Sequence, residues 1–102
     1  NNHRAAPFAG EDFQVSENDV PGQNESGLNN APPCGLPLES SLSLQGVWGY
    51  SSTHEVASAA KCLEFYRQCR ALHSNVLFNV GPKPDGTIDE KQQRVLLEFG
   101  AQ

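Results

Sequence analysis

One apolar run constrains the fold of this sequence more than any other feature. Residues 75–80 are Asn-Val-Leu-Phe-Asn-Val and are followed by Gly81-Pro82. A compact apolar run of this kind, closed by Gly and Pro, predicts a strand of the parallel type that is buried on both faces. Such a strand needs other strands beside it and helices over it. No other segment predicts a comparable strand, so we expect the neighbouring strands to come from elsewhere in a larger α/β protein.

Helices are predicted on both sides of this strand. Apolar residues recur every three or four positions from about Thr53 to Leu72, and Ser52 with Glu55 has the spacing of a capping box. A second capping box is formed by Thr87 with Glu90. It predicts a shorter helix that runs through Phe99 and stops at Gly100.

The first third of the chain has a different composition. Residues 5–37 contain most of the Pro, Gly and Asn, with isolated apolar residues, and this predicts a long loop over residues 1–37. In residues 38–102, Leu42 and Leu44 alternate with polar residues and predict a short extended segment before the first helix. The second part is therefore expected to hold strand and helix units.

Size and charge exclude several classes of function. The chain has 102 residues, which suffices for one small domain or a piece of a larger one. Its net charge is -5 and its basic residues do not cluster, which argues against a nucleic-acid partner. No apolar run has the ~20 residues that span a bilayer, so no membrane partner is predicted.

Three cysteines cannot all pair within one chain. Cys62 and Cys69 lie seven residues apart in the predicted first helix, roughly 10 Å along its axis, too far for a disulfide. Cys34 has no obvious partner. The cysteines and histidines have no metal-ligand spacing, and neither a metal nor a cofactor is predicted.

A few residues are candidates for chemistry or modification. Glu39 lies between Pro37-Leu38 and a Ser-rich stretch, a semi-apolar setting in which a carboxyl group could donate a proton, although a lone Glu in a loop is usually a solvated surface residue. Trp48 and Tyr50 could stack on a sugar or could be core residues. Asn24-Glu25-Ser26 is a glycosylation acceptor sequence, meaningful only in a secreted protein.

Two segments together resemble a known family. The segment Glu39-Ser-Ser-Leu-Ser-Leu-Gln-Gly-Val-Trp-Gly-Tyr50 and the later Asn-Val-Leu-Phe-Asn-Val-Gly-Pro-Lys-Pro-Asp-Gly-Thr-Ile88 are similar in order and spacing to the α-L-fucosidases of glycoside hydrolase family 29. Those enzymes carry a WE[TS]…SWGY segment, then GGNLLLNxGPxxDGxI. Residues 1–4 and 8–13 look like the family's NDR strand end and GDF-containing loop.

The resemblance implies a fold, a reaction and a set of site residues. The fold would be the carboxyl-terminal portion of a (β/α)8 barrel, incomplete in this chain. The reaction would be retaining hydrolysis of terminal α-L-fucosidic bonds in fucosylated glycans. Glu39 would be the general acid/base, and Arg4, or else His3, would bind sugar hydroxyls. Trp48 and Tyr50 would line the pocket.

The resemblance also implies what this chain lacks. The family's nucleophilic Asp lies upstream of the NDR segment, so we expect activity to belong to a longer protein and the 102 residues alone to be inactive. The alternative is a truncated relative that acts as a carbohydrate-binding or interaction module through Trp48 and Tyr50. Family membership further implies secretion or a lysosomal location, in which Asn24 would be a usable acceptor.

Overall fold

Three parallel strands and two helices make up the part of the chain that the structure, a computed structural model, describes, namely residues 9–23 and 35–102. In chain order the elements are β1 (Gln14–Glu17), β2 (Leu38–Ser43), α1 (Ala59–Ala71), β3 (Ser74–Asn79) and α2 (Glu90–Gly100). The strands form one sheet in the order β1-β2-β3, and both pairings are parallel. Neither helix of the described residues has the length and apolar character needed to cross a membrane.

One neighbour of β3, the strand β2, lies within this chain, contrary to the sequence prediction, and no other strand of the described residues pairs with β3. β2 pairs with β3 over its whole length, and β1, which lies inside the predicted loop, pairs with β2. The prediction was wrong because β1 (Gln-Val-Ser-Glu) and β2 (Leu-Glu-Ser-Ser-Leu-Ser) are poor in apolar residues. Their strand character comes from parallel pairing, which sequence periodicity does not record.

One face of the sheet packs against the helices. Leu42, Val76 and Phe78 lie against the buried side chains of Phe65 and Cys69 in α1. At the edge of this core, the Phe99 ring of α2 contacts Phe78, with ring centroids 5.0 Å apart in an edge-to-face arrangement. The helix-covered face of the sheet thus forms the apolar core.

The opposite face is polar and carries no helix in the described part of the chain. Because side chains alternate along a strand, the residues between the core positions point to this side. We call it the open face, and it consists of Val15, Glu17, Glu39, Ser41, Ser43, Asn75, Leu77 and Asn79. The prediction that β3 is buried on both faces is therefore wrong for this chain, since Asn75 and Leu77 are exposed.

Both helices begin later than the capping boxes predict. The N-cap of α1 is Ser58, whose hydroxyl accepts from the Lys61 main-chain N–H at 3.2 Å, and the predicted cap Ser52 lies in a bend. The N-cap of α2 is Asp89, which accepts from the Lys91 N–H at 2.9 Å. The predicted stop, Gly100, is the last residue of α2.

Local side-chain bonds explain the late start of α1. The Ser51 hydroxyl accepts from the main-chain N–H groups of Thr53 and His54, both at 3.2 Å. The Ala57 N–H donates to the Leu44 carbonyl at 2.7 Å, which holds this segment against the end of β2. Such bonds compete with helix formation, so residues 51–57 stay outside the helix.

Cys62 and Cys69 are both free and both fully buried on α1. The prediction that they do not pair with each other is confirmed. Cys34 lies outside the described residues.

Candidate functional site

The carboxyl ends of the three strands meet at one edge of the sheet and form a cleft. β1 ends at Glu17, β2 at Ser43 and β3 at Asn79. The cleft has a volume of about 350 Å³. It is lined by Glu17, Asn18, Ser41, Ser43, Gly46, Trp48, Leu77 and Asn79. Its size is typical of a small-molecule site, and α/β folds place their sites at this edge.

Glu17 is the carboxylate of this cleft. It is the last residue of β1, is half-buried and lies on the open face level with Ser41. In the register of the sheet, Glu17 pairs with Ser41, and Ser41 pairs with Leu77 of β3. An apolar side chain therefore lies on the same face, two strands from the carboxylate. A carboxyl group in a partly enclosed cleft is suited to proton transfer. Sequence reasoning did not select Glu17, because its segment was assigned to a loop.

Glu39 lies on the same face but farther from the cleft. It is the second residue of β2 and pairs with Val15 and Asn75. Its Oε2 accepts from the Asn75 Nδ2 at 3.1 Å. It lies four positions before Ser43, a distance of about 13 Å along a strand. Glu39 is not among the residues that line the cleft.

Trp48 extends from the loop after β2 and lines the cleft. Its side chain is 86% exposed, so the indole is not a core residue. The Trp48 carbonyl accepts from the Asn79 Nδ2 at 2.8 Å. The structure therefore brings Trp48 together with Glu17 and Asn79, which the sequence did not connect.

Tyr50 follows in the same loop and is half-buried. Its main chain packs directly on Gly81, which comes two residues after the end of β3. A Cβ atom at Gly81 would overlap with the main-chain nitrogen of Tyr50, so only glycine permits this approach. Tyr50 is not among the residues that line the cleft, and its main chain joins the loop to the strand end.

The buried side chain of Gln45 stabilises the same loop through hydrogen bonds to its main chain. The Gln45 Nε2 donates to the carbonyls of Ser51 at 2.7 Å and His54 at 3.1 Å, and its Oε1 accepts from the Ser51 N–H at 3.1 Å. The fully buried Gln92 of α2 lies next to it and donates to the Gln45 Oε1 and the Gly81 carbonyl, both at 3.4 Å. The loop that carries Trp48 is thus tied to β3 and lies against α2.

The loop after β3 is a tight turn. The Gly86 N–H donates to the Lys83 carbonyl at 2.8 Å, and Gly86 has a positive φ of 84°. The hydroxyl and the N–H of Thr87 both donate to the Asp85 carboxylate, and these hydrogen bonds lower the pKa of Asp85. Asp85 therefore caps the turn, in agreement with the interpretation of this segment as turn chemistry.

Several predicted residues lie outside the described part of the chain. Arg4, its alternative His3, and Asn24 fall in residues 1–8 and 24–34. Their assignments stay predictions. Within residues 9–23 and 35–102, no group of three or more His, Cys, Asp and Glu side chains is placed to hold a metal ion.

The sequence marks Asn79 but not Glu17 as a residue at a strand end. Gln14–Glu17 contains one apolar residue, Val15, so no alternation of apolar and polar residues identifies it as a strand. Asn79 was placed in the apolar run, and its polar side chain next to Gly81-Pro82 marks a strand end. The bonds of Gln45 and Gln92 join residues 47 positions apart and have no local signal.

The fold and the cleft define an α/β protein with a site at the carboxyl edge of a parallel sheet. The family model of the α-L-fucosidases matches residues 1–102, and the chain belongs to this family. No curated protein sequence is significantly similar to the chain.

Solved structures agree with this assignment. α-L-Fucosidase isoenzyme 1 from Paenibacillus thiaminolyticus is 31% identical, with a TM-score of 0.72 over 88% of this chain and 21% of its own. The Thermotoga maritima α-fucosidase in complex with a mechanism-based inhibitor is 26% identical, with a TM-score of 0.67 over 94% of this chain and 20% of its own. The α-L-fucosidase AlfC from Lactobacillus casei with α-L-fucose product shares the fold, at 23% identity and a TM-score of 0.69 over 88% of this chain. The chain spans about a fifth to a quarter of these proteins.

Proposed function

We propose that this chain is part of a retaining α-L-fucosidase that removes terminal α-L-fucose from glycans. The observation that carries the proposal is the family match over the whole chain. The cleft at the carboxyl edge supports it, because it combines a carboxylate, an exposed indole and polar side chains. In this proposal the three strands are the last strands of a (β/α)8 barrel, and the open face is turned toward the barrel interior.

Glu17 is the general acid/base in this proposal. It lies in the cleft with Trp48, where a sugar with its apolar face on the indole would bring the glycosidic oxygen close to a carboxyl group. A retaining enzyme needs a second carboxylate about 5–5.5 Å away, which attacks the anomeric carbon. We assign that role to an Asp from outside these 102 residues. The chain alone is then inactive, and Arg4 or His3 would contribute a contact to the sugar hydroxyls.

The family resemblance implies that Glu39 has the acid/base role, and two variants of the full enzyme decide between Glu17 and Glu39. We expect Glu17→Gln to lower kcat/KM by about 10²–10⁴-fold on a fucosylated oligosaccharide, whose leaving group needs protonation. The loss should be smaller on 4-nitrophenyl α-L-fucoside, whose leaving group does not. Glu39→Gln is the matched control, because it makes the same chemical change on the same face of the sheet. Glu39 lies about 13 Å from the end of β2 that borders the cleft. If Glu39→Gln shows the large, leaving-group-dependent loss instead, Glu39 is the acid/base.

The stereochemistry of the product tests the retaining mechanism. Proton NMR of the first fucose released should show the α-anomer before mutarotation. Initial release of the β-anomer would contradict it. If no fucoside is hydrolysed but fucose binding is lost in Trp48→Ala, the carbohydrate-binding module is the better description.

The location of the protein is part of the same proposal. Secretion or a lysosomal location would give Asn24 access to the glycosylation machinery. A mass decrease of the native protein on enzymatic removal of N-glycans, absent in Asn24→Gln, would support it. An Asn24 peptide that is unmodified in protein from its source would count against it.

A further inference from the structure

We propose that Asn79 is a positioning residue that holds the loop of Trp48 so that the indole lies at the cleft. This inference deepens the proposed function and rests on it, since the indole is taken as the platform for the sugar. The Asn79 Nδ2 donates to the Trp48 carbonyl at 2.8 Å and to the Ser43 hydroxyl at 3.2 Å. One amide thus bridges the ends of β2 and β3 and the loop between β2 and α1.

The chemistry of the partners defines the orientation of the amide. A main-chain carbonyl only accepts hydrogen bonds, so the Asn79 atom 2.8 Å from the Trp48 oxygen is the NH₂ group. Its two N–H groups match the two acceptors, Trp48 and Ser43. The Asn79 Oδ1 remains as an acceptor on the side chain that lines the cleft.

The position of the indole depends on its main chain. With 86% of its side chain exposed, Trp48 has little packing to fix its position. Gly46 and Gly49 flank it, and Gly46 has a positive φ of 69°, so the local sequence permits many conformations. The hydrogen bond from Asn79 joins this loop to the rigid sheet at Trp48, the residue whose indole lines the cleft.

A platform that is ordered before the sugar arrives binds more tightly. Ordering a loop during binding costs free energy that is subtracted from the affinity. Loss of the Asn79 amide should therefore weaken binding more than it slows the chemical step. The expected signature is a higher KM with a smaller change in kcat.

The test is a double-mutant cycle in the full enzyme with 4-nitrophenyl α-L-fucoside. Asn79→Leu has a similar shape and removes both donors without adding a charge. We expect it to lower kcat/KM about tenfold, mainly through KM. In a Trp48→Ala background the same substitution should have little further effect, because the residue that Asn79 positions is gone. Equal losses in both backgrounds would overturn the proposal and indicate that Asn79 acts on the substrate directly.

Hydrogen exchange provides a readout that does not depend on activity. Amides of residues 46–50 should exchange at least tenfold faster in Asn79→Leu than in the wild type. Gln93→Met is the matched control. Gln93 lies on α2, away from the loop, and its exposed side-chain amide donates to the Ile88 main-chain carbonyl at 2.7 Å. The substitution therefore removes the same kind of hydrogen bond at another place. Unchanged exchange of residues 46–50 in Asn79→Leu would refute the proposal. If Asn79→Leu does not fold, Asn79→Ala removes the same donors, and exchange of residues 46–50 in that variant supports or refutes the proposal in the same way.

The two proposals fail in different ways. A wild-type enzyme that hydrolyses no fucoside contradicts the proposed function, while the exchange experiment still decides whether Asn79 holds the loop. An active enzyme with additive effects in the cycle leaves the function standing and refutes the role of Asn79.

Discussion

Gln45 and Gln92 are neighbouring buried glutamines whose side chains make very different hydrogen bonds. Gln45 makes three bonds of 2.7–3.1 Å to the main chain of the loop that carries Trp48. Gln92 makes two long bonds of 3.4 Å, and its Oε1 is buried without a partner among the described residues. An unpaired buried oxygen costs about 1–3 kcal/mol, which offsets the weak bonds of the same side chain.

We therefore expect effects of different size from the same substitution at the two positions. Gln45→Met should lower the free energy of unfolding by about 2–4 kcal/mol, because three main-chain groups lose their partner. Gln92→Met should change it by less than about 1 kcal/mol. Urea unfolding of both variants measures the difference. Equal destabilisation would show that the Gln92 bonds are as strong as those of Gln45.

The buried thiols of Cys62 and Cys69 predict a loss of stability at high pH. Burial raises the pKa of both thiols above the ordinary value of 9.0. Above that pH the unfolded thiols lose their protons while the folded ones keep them, so the unfolded state binds fewer protons and stability falls as pH rises. Between pH 8 and pH 10, wild type should lose more unfolding free energy than Cys62→Ala/Cys69→Ala. Parallel pH profiles of the two proteins would contradict this expectation.

At the scale of secondary structure, α1 tests which serine begins the helix. Ser58→Ala should cost about 1 kcal/mol, the usual effect of losing an N-cap. Ser52→Ala is the matched control at the cap that the sequence predicts, and it should have almost no effect because Ser52 is exposed in a bend. Thermal unfolding of the two variants measures both. A larger effect at Ser52 would mean that the helix begins earlier than the structure shows.

The sequence predicted elements well where the signal is local and poorly where it is not. The existence of β3 and both helices followed from apolar periodicity and Gly-Pro punctuation. The start of α1 was missed because the third residue after Ser58 is Lys61, not Glu or Gln. The start of α2 was missed because Thr87 with Glu90 has the same spacing as Asp89 with Gln92, two residues earlier. β1 was missed because four residues with one apolar member carry no period.

For the candidate site too, the sequence predicted the residues with a local signal and missed those that depend on strand pairing. Trp48 was identified from a motif and lines the cleft, and its contact with a sugar stays a prediction. Glu17 and Asn79 reach the cleft through the parallel register, which links Gln14 to Leu38 and Leu38 to Ser74. A sequence does not state which strand ends share an edge, so the members of the site that come from different strands could not be grouped in advance.

For the whole molecule, we expect the 102-residue chain to self-associate when it is produced alone. β1 and β3 are the outer strands of the sheet in the described part of the chain, and the outer strands of a sheet are templates for pairing between molecules. Light scattering after size exclusion at about 100 µM should show dimers or larger species, and Val15→Lys, which places a charge on an outer strand, should reduce them. A monomer at that concentration would contradict the expectation.

The parallel sheet has a consequence for how the chain folds. Gln14 pairs with Leu38, 24 positions later, and Leu38 pairs with Ser74, 36 positions later. Each strand pairing must therefore close a long segment, and folding rates fall as the sequence distance between contacts grows. During synthesis, β2 has no strand on its β3 side until Asn79 has left the ribosome, so α1 is complete before the central strand gains its second neighbour. The cleft cannot form before β3 is complete, because Asn79, the final residue of that strand, is part of its lining.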